Sequence, residues 1–409
     1  MRILIHGLNF APEMTGIGKY TGELAVYLAD QGHQVRVVTS PPYYPQWRIA
    51  AGYSGWSYRK EQWQGMEVYR CPLWVPRKPS GIKRILYLGS FALFSLPVIL
   101  AQVRWKPALL INIAPAIAST PFSWLAARLA GSKAWLHIQD FELDTAANLK
   151  MLPGLGLTTR LSQNIEASCL KGFDRVSTIS QRMLERLWQK GVPADKSFLL
   201  PNWVDIRTIY PLAKPSSLRA DWGIPPDRIL VLYAGNMGQK QGLETLLDAA
   251  RQLSDEEEVY FILCGEGAAR VELEQQAAGL SNVCFMPLQP EERLNDLLNA
   301  ADIHVLPQRA HTADLVMPSK LGGMLASGRP VVATARPGTE LAEVVSQVGL
   351  VVPPEDPGAL ADAIGCLVDH PAIRSELAVK GRQFVETYWT KEHVLASFLN
   401  EINLLTKTN

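Results

Sequence analysis

The segment from Tyr233 to Gly242 has residue types that could hold a diphosphate. It reads YAGNMGQKQG, so glycines lie on both sides of the lysine, Lys240. Glycines let backbone N–H groups approach a phosphate, and a lysine ammonium can neutralise a diphosphate that leaves during a reaction. A lone lysine on a loop is usually only solvated, but this one lies between a predicted strand and a predicted helix. We therefore expect Lys240 to contact a diphosphate and to act as a catalytic residue.

A second phosphate site is predicted where Pro318 and Ser319 open a short helix. Proline is favoured in the first helical turn and serine at the N-cap, so backbone N–H groups near Ser319–Leu321 should be free there. Lys320 would add positive charge at the same place. An ordinary capped helix gives the same pattern. It is less common, however, for two helix N-termini that could each bind a phosphate to face one cleft.

Another glycine-rich loop follows the first predicted strand and contains Gly16, Gly18 and Gly22. Its spacing is not the dinucleotide fingerprint, and no Ser or Thr follows Lys19, which also excludes the Walker phosphate loop. Gly16 and Gly18 could still bring backbone N–H groups and a helix N-terminus to a phosphate. A flexible loop with no ligand explains these glycines equally well.

Polar side chains end the predicted strand that contains His137. The imidazole could accept or polarise a proton, and Asp140 could accept a hydrogen bond from a sugar hydroxyl. Both are therefore candidate catalytic residues. A single histidine on a strand is, however, more often a core residue whose hydrogen bonds are satisfied.

The composition excludes several functional classes. The 409 residues include 40 Lys+Arg and 39 Asp+Glu, and this balance does not suggest a nucleic-acid partner. Five scattered cysteines without a C-x-x-C pair argue against a zinc site and for a reducing compartment. D-x-D, H-E-x-x-H and G-x-S-x-G are all absent, which disfavours a metal-bridged diphosphate and the simplest hydrolases. These missing motifs lead us to expect no bound metal. The first residues lack signal-peptide features, so we also expect a cytoplasmic protein.

The elements that must position these residues are short apolar runs that alternate with amphipathic stretches. The runs that predict strands are 3–6, 35–39, 109–113, 134–138, 175–180, 229–234, 259–264, 283–285, 303–306 and 331–333. Such alternation predicts parallel, doubly wound sheets. Prolines between Pro201 and Pro226 interrupt the alternation and indicate a linker. The sequence thus predicts two α/β domains with a ligand cleft between them.

One uncharged, strongly apolar segment, Ile85–Val103, is flanked by basic residues on both sides. Its length is near the lower limit for a membrane-spanning helix, but Gly89, Pro97 and Gln102 argue against spanning. The alternation of strands and helices needs a crossover helix here. Burial in the first domain and docking on an anionic bilayer surface through residues 82–104 both remain open.

These motifs together resemble the GT-B glycosyltransferases of family 4 over nearly the whole chain. Residues 1–40 are similar to the opening strand, glycine loop, helix and strand of that family, and 235–242 to its donor-diphosphate loop. Pro201–Asp205 resembles its Pro-Asn-Gly-Val-Asp signature, with Trp203 in place of glycine. Within the family, residues 137–142, 236–242 and 317–321 look most like the colanic-acid-pathway fucosyltransferases, which use GDP-fucose to build lipid-linked exopolysaccharide repeats.

The resemblance implies a GT-B fold of two Rossmann-like domains with an interdomain cleft. Residues 1–205 would bind the acceptor, 206–385 would bind the nucleotide-sugar, and a final helix in 386–409 would cross back to the first domain. The implied activity is a retaining, metal-independent hexosyl transfer with no cofactor beyond the nucleotide-sugar. GDP-fucose or another GDP-sugar is the favoured donor and a UDP-sugar the alternative. The acceptor would be a glycan or a lipid-linked saccharide, and the enzyme would work in the cytoplasm or at the inner face of the plasma membrane.

The sequence departs from the family pattern at the donor site. The resemblance places Asn236 among the donor-binding residues, but the family usually has arginine there, so Lys240 must carry more of the contact to the diphosphate. Many members also have two glutamates at positions that here fall on Leu315 and Gly323. Asp314 is the candidate to replace their contact to the donor sugar.

The resemblance also implies roles for other polar residues. The His-Asp pair of the family falls on Gln139 and Asp140, with His137 two residues earlier, so Asp140 and His137 would orient the sugar and the acceptor. Glu266 and Glu340 would lie near the nucleoside. Turns of this kind also serve purely as strand ends.

Two other functional classes remain open from the sequence. A sugar-nucleotide epimerase or a phosphorylase could use the same twin-domain scaffold. A non-catalytic scaffold that binds nucleotide-sugars would explain the missing arginine and glutamate pair.

Overall fold

The structure is a computed structural model that describes the chain except residues 14–15, 78–81, 115–116, 142–166, 168, 226, 311–316 and 408–409. It divides into two compact units. Unit 1 comprises Met1–Pro201 and Leu395–Asn409, and unit 2 comprises Asn202–Val394. Each unit contains a mainly parallel sheet with helices between its strands. This confirms the predicted α/β class with two Rossmann-like domains.

The sheet of unit 1 has the strand order β3-β4-β2-β1-β5-β6-β7-β8. Its strands are β1 (Arg2–Gly7), β2 (Gln34–Thr39), β3 (Arg59–Trp63), β4 (Met66–Arg70), β5 (Leu109–Ala114), β6 (Lys133–Ile138), β7 (Arg175–Thr178) and β8 (Ser197–Leu199). The β3–β4 pair is antiparallel and the other pairs are parallel. The helices of this unit before residue 202 include α1 (Gly16–Asp30), α2 (Ile82–Gln102), α3 (Thr120–Ala130) and α4 (Gln181–Gln189).

The sheet of unit 2 is parallel, in the order β11-β10-β9-β12-β13-β14. Its strands are β9 (Ile229–Ala234), β10 (Val259–Cys264), β11 (Val283–Met286), β12 (Ile303–Leu306), β13 (Val331–Thr334) and β14 (Leu350–Val352). The described helices of unit 2 are α5 (Ser217–Asp221), α6 (Leu243–Gln252), α7 (Arg270–Gln276), α8 (Leu294–Ala300), α9 (Lys320–Ala326), α10 (Glu340–Val348), α11 (Pro357–Asp369) and α12 (Pro371–Tyr388).

The predicted strands of unit 2 agree closely with the structure. β9, β10 and β12 have the predicted bounds, because each is a largely apolar run covered on both faces, as inner parallel strands require. The polar segments that could do chemistry follow the carboxyl ends of β9 and β10, which are hydrogen-bonded neighbours. The sheet therefore delivers these segments to one edge.

The sequence analysis predicts no strand between residues 39 and 109, and the structure differs at residues 59–63. Arg59–Trp63 forms the edge strand β3, which pairs with β4. The sequence RKEQW lacks the apolar alternation by which half-buried strands are recognised, because β3 is largely exposed. Trp63 is therefore part of the sheet, and its ring contacts Phe10 edge-on with ring centroids 5.1 Å apart.

The last helix, α13 (Lys391–Lys407), begins in unit 2, and its residues from Leu395 onward belong to unit 1. Phe398 packs edge-on against Trp135 of β6 with ring centroids 4.7 Å apart, and both side chains are fully buried. Glu401 forms an ion pair with Arg175 of β7. The end of the chain thus completes the core of the unit that contains its beginning.

Candidate active site

Two glycine turns pack backbone against backbone at the carboxyl ends of β9 and β10. The Gly235 N–H donates to the Cys264 carbonyl at 2.8 Å, and the Met237 N–H donates to the Glu266 carbonyl at 2.8 Å. A Cβ on Gly265 would overlap the carbonyl oxygen of Gly235, and the φ of Gly265 is +149°, which side chains rarely adopt. Only glycine allows the two turns to approach this closely.

The side chain of Lys320 lies against the first of these turns. Its Nζ donates to the Tyr233 hydroxyl at 2.9 Å and lies 4.4 Å from the centroid of the Tyr233 ring. A Cβ on Gly235 would overlap Nζ and Cε of Lys320, so this glycine leaves the space that the lysine occupies. Desolvation lowers the pKa of Lys320 to about 8.

Lys320 forms no ion pair within the described residues, although its ammonium is desolvated. Arg309, whose guanidinium donates to the Gln239 carbonyl, is by contrast paired with Glu244. A desolvated cation without an anionic partner is unfavourable unless an anion can bind beside it. The residues around Gly235 therefore suit a phosphate group.

The turn that carries Lys240 is held by Arg309, which the sequence analysis did not single out. Arg309 donates from Nε to the Gln239 carbonyl at 2.7 Å, and its backbone N–H donates to the Lys240 carbonyl at 3.3 Å. The side chains of Lys240 and Asn236 are exposed. The structure thus places both near the glycine turns but leaves them in water, unlike Lys320.

The start of α9 agrees with the sequence prediction for Lys320 but not for Ser319 and Leu321. Ser319 is exposed, and its side chain makes no capping hydrogen bond. The Leu321 N–H donates to the Pro318 carbonyl at 3.1 Å, so it is not the free amide that the sequence analysis expected. The Leu321 side chain is fully buried in the core of unit 2. Leu321 therefore anchors the helix, and the side chain that reaches the glycine turn is that of Lys320.

The two candidate nucleoside contacts, Glu266 and Glu340, lie on different elements of unit 2. Glu266 lies in the β10 turn, directly beside the β9 turn, where it pairs with Arg270 at 2.7 Å. Arg270 also donates to the Gly265 carbonyl at 2.6 Å. Glu340 begins α10, behind the N-cap Thr339, whose hydroxyl accepts from the Ala342 N–H at 3.3 Å. Asp314 lies outside the described residues.

In unit 1, the glycine loop packs against a buried acid that the sequence analysis missed. Glu13 accepts hydrogen bonds from the backbone N–H groups of Tyr43 and Tyr44, each at 3.1 Å, and from the Asn9 amide at 2.9 Å. Burial is the main reason that the pKa of Glu13 is raised. A Cβ on Gly18 would lie 2.6 Å from the Glu13 Cβ.

The two glycines of this loop that were predicted to bind the donor therefore have local roles. Gly18 leaves room for Glu13, and Gly16 begins α1 with a φ of +62°. No feature of the sequence near Glu13 distinguishes a buried carboxylate from an exposed one, because its N–H donors follow a different strand.

His137 is buried on β6, and both of its ring nitrogens have partners. Nδ1 lies 2.9 Å from the Ser177 hydroxyl, and Nε2 lies 3.0 Å from the Gln139 side-chain nitrogen. Burial lowers the pKa of His137 to about 3, so the ring is neutral. These contacts let His137 orient Gln139. Asp140 follows Gln139 at the end of the strand and is partly exposed.

The described residues contain no group of three His, Cys, Asp or Glu side chains that could hold a metal ion. One described segment, Lys83–Trp105, is long and apolar enough to cross a membrane, and a third of it is buried in the protein.

Comparison with known proteins shows which family the chain represents. Residues 228–370 match the family described as glycosyl transferases group 1, and residues 15–203 match the glycosyl transferase 4-like domain. The chain is 41% identical to the colanic acid biosynthesis glycosyl transferase WcaI of Escherichia coli K12, over 98% of this chain and 100% of that protein. The chain belongs to the group 1 glycosyltransferases. The D-inositol 3-phosphate glycosyltransferase of Xylanimonas cellulosilytica is 28% identical to this glycosyltransferase over 47% of the chain and 48% of that protein.

Solved structures agree on the fold of the glycosyltransferase. Sucrose-phosphate synthase from Thermosynechococcus elongatus has a TM-score of 0.76 at 20% identity and covers 100% of both chains. Anabaena HepE in complex with UDP has a TM-score of 0.73 at 16% identity, over 98% of this chain and 100% of that one. These similarities confirm the GT-B fold that the sequence predicted. The match to the group 1 family and the 41% identity to a glycosyl transferase show that the chain is an enzyme of the transferase class.

Proposed function

We propose that this glycosyltransferase moves a sugar from a nucleotide-sugar to a glycan or lipid-linked acceptor during the synthesis of an exopolysaccharide or glycolipid. The observation that carries the proposal is the ammonium of Lys320, which is desolvated, points at the Gly235 turn and has no carboxylate partner in the described residues. Such a group suits the phosphate that must accept charge when a sugar leaves its nucleotide.

We favour a GDP-sugar, GDP-fucose in particular, with a UDP-sugar as the alternative. The support for an exopolysaccharide is the 41% identity to a protein named for colanic acid biosynthesis. The support for a UDP-sugar is the structural similarity to HepE, whose structure contains UDP.

The proposed reaction is metal-independent and retains the anomeric configuration. The bond between the anomeric carbon and the β-phosphate oxygen breaks, and the acceptor hydroxyl attacks from the same face. Its proton passes to the leaving phosphate oxygen, so no side-chain base is needed. Lys320 meets the negative charge that grows on the phosphate, with Lys240 and Asn236 further out in water. His137 holds Gln139 beside Asp140 at the end of β6, where we place the sugar and acceptor contacts.

The direct test is a transfer assay with the purified enzyme and GDP-, UDP-, ADP- and dTDP-sugars, preceded by a thermal-shift panel of the same donors. A donor that binds only the folded state raises the melting temperature with the logarithm of its concentration. We expect one class of donor to stabilise the protein and to be hydrolysed slowly even without acceptor. Nucleotide binding with no turnover of any donor would favour a non-catalytic scaffold.

Removal of divalent metal should leave the activity intact. The reason is that a protein ammonium supplies the positive charge that Mg²⁺ supplies to diphosphates elsewhere. The measurement compares turnover before and after dialysis against EDTA, with Mg²⁺ added back as the control. A loss of activity that Mg²⁺ restores would contradict the proposed mechanism.

The proposal includes contact with the surface of an anionic membrane, through α2. One face of this helix is in the core, where Tyr87 and Phe91 are buried. The opposite face exposes Ile85, Leu86 and Leu93 by more than half of their surface, at 54%, 57% and 63%. An exposed helix face in a soluble protein normally carries polar side chains. This face therefore suits the hydrocarbon boundary of a bilayer.

The charges around α2 complement an anionic bilayer. Lys83 precedes the apolar face and Arg104 follows it, and residues 83–106 contain no acidic side chain. Trp56 is 79% exposed, and the Tyr58 hydroxyl donates to the Phe94 carbonyl at 3.0 Å, which places an aromatic loop beside the helix. Tryptophan and tyrosine are favoured at membrane interfaces. A location at the inner face of the plasma membrane would bring the enzyme to a lipid-linked acceptor.

Replacement of Ile85, Leu86 and Leu93 by serine should lower the affinity for vesicles containing phosphatidylglycerol by on the order of 10²-fold, since three apolar side chains no longer enter the lipid. Co-sedimentation with the vesicles measures this affinity. Val379→Ser, at a 56% exposed position on α12, is the control and should bind as the parent does. A folded triple variant with unchanged vesicle binding would exclude α2 as the docking surface.

A further inference from the structure

The hydroxyl group of Tyr233 lies between the two parts of the proposed phosphate site. Tyr233 is the fifth residue of β9, and its side chain is buried in the core of unit 2. The hydroxyl donates to the Asn236 carbonyl at 2.5 Å and accepts from the Lys320 Nζ at 2.9 Å. The residues on either side of this hydroxyl are far apart in sequence.

The chemistry of the partners fixes the direction of both hydrogen bonds. A carbonyl oxygen only accepts and an ammonium only donates, so the single phenolic proton must point at Asn236 and a lone pair must face Lys320. Both capacities of the hydroxyl are therefore committed. Burial raises the pKa of Tyr233, so the phenol keeps its proton at the pH at which the enzyme works.

The aromatic ring adds a second restraint on the lysine. The Lys320 Nζ lies 4.4 Å from the ring centroid, within the range of a cation–π interaction. A lysine side chain has four flexible methylene groups, and holding it in one conformation costs entropy. Tyr233 offsets this cost with a rigid side chain that the core already holds in place.

We infer that Tyr233 is a positioning residue, which holds the Lys320 ammonium against the Gly235 turn and so presents it to the diphosphate. The inference rests on the proposed function of Lys320. The same hydroxyl also donates to the carbonyl of Asn236, the residue that follows Gly235. One hydroxyl therefore restrains both the Lys320 ammonium and the backbone of the Gly235 turn. A preorganised charge stabilises a transition state without reorganisation during the reaction, so the loss of these hydrogen bonds should affect kcat more than KM.

Tyr233→Phe tests the inference, because it keeps the ring and removes only the hydroxyl. We expect kcat to fall by on the order of 10-fold, with the KM for the donor changed less than about threefold. The melting temperature should fall by only about 2–4 °C, since one partly buried carbonyl loses its partner. Tyr260→Phe, one strand away on β10, is the matched control and should leave kcat and KM unchanged. An unchanged kcat in Tyr233→Phe would overturn the inference.

A double-mutant cycle separates positioning from a structural role. The dissociation constant of the nucleoside diphosphate that stabilises the parent is measured for Tyr233→Phe, Lys320→Gln and the double variant. If Tyr233 acts through Lys320, removal of its hydroxyl should weaken binding in the parent and have no effect in the Lys320→Gln background. The same loss in both backgrounds would overturn the inference. If the parent binds no nucleoside diphosphate, the proposed function itself fails, which is a different result.

Discussion

Lys320→Met should lower kcat by on the order of 10²–10³-fold, which is the effect of losing one preorganised charge at a developing oxyanion. Methionine keeps most of the volume and the flexibility of the side chain, so the packing against Gly235 and Tyr233 changes little. Steady-state transfer, or slow donor hydrolysis without an acceptor, measures the effect. Lys240→Ala should reduce kcat less, because an exposed lysine is screened by water and salt. Equal losses in the two variants would contradict the assignment of Lys320 as the principal charge.

The pKa of Lys320 predicts how the activity depends on pH. Desolvation lowers the pKa of Lys320 to about 8, so the fraction of protonated enzyme falls as the pH rises through this value. Only the ammonium can bind a diphosphate, so kcat/KM should decline on the alkaline side of about pH 8. Lys320→Arg keeps its charge throughout this range and should lack the decline, whatever its absolute rate. The measurement is the pH profile of kcat/KM for both proteins. A parent profile that stays flat to pH 10 would exclude a titrating Lys320.

Gly265→Ala should destabilise unit 2 strongly and lower the free energy of unfolding by more than about 4 kcal/mol. The new Cβ would overlap the Gly235 carbonyl oxygen, which belongs to backbone that cannot move without breaking the hydrogen bonds between the two turns. Such a clash adds to the cost of an unfavourable φ and belongs to the rare class of severe point mutations. Chemical denaturation followed by fluorescence measures the change, and we expect loss of donor binding at temperatures where the variant still folds.

Gly279→Ala is the control for this variant. Gly279 also has a positive φ, of +89°, but a Cβ there would meet no atom within 4 Å. This variant should lose only about 1–2 kcal/mol, which is the cost of the backbone conformation alone. If the two variants were equally stable, close packing of the glycine turns would not be the reason for glycine at position 265.

The parts of the fold that the sequence predicts well are those whose apolar pattern is unambiguous. β9 and β10 are inner parallel strands, and a continuous apolar run bounded by glycine defines their ends. Edge strand β3 was missed because its side chains are mostly charged and lie in water. The face of α2 that is exposed was also unpredictable, because nearly all of its residues are apolar. The structure shows that Phe91 is in the core and Leu93 in solvent.

The residue types of the candidate site were recognisable in the sequence, but the burial and the partners of each residue were not. The sequence placed lysines after β9 and at the start of α9, but it could not show that Lys240 is exposed and Lys320 desolvated. That difference depends on Tyr233, which is 87 residues from Lys320 in the chain. His137 was likewise recognised by its type, whereas its partner Ser177 lies 40 residues away. Burial and long-range partners decide the role of an ionisable group, and neither is a local property of the sequence.

The pairing of Trp135 with Phe398 has a consequence for synthesis on the ribosome. Unit 1 emerges first, but the core around Trp135 lacks Phe398 until unit 2 has been translated. At typical elongation rates this interval lasts on the order of tens of seconds. During that time the nascent amino-terminal half exposes apolar surface that a chaperone could recognise, and a ribosome stalled before codon 395 would release a product that lacks part of its own core.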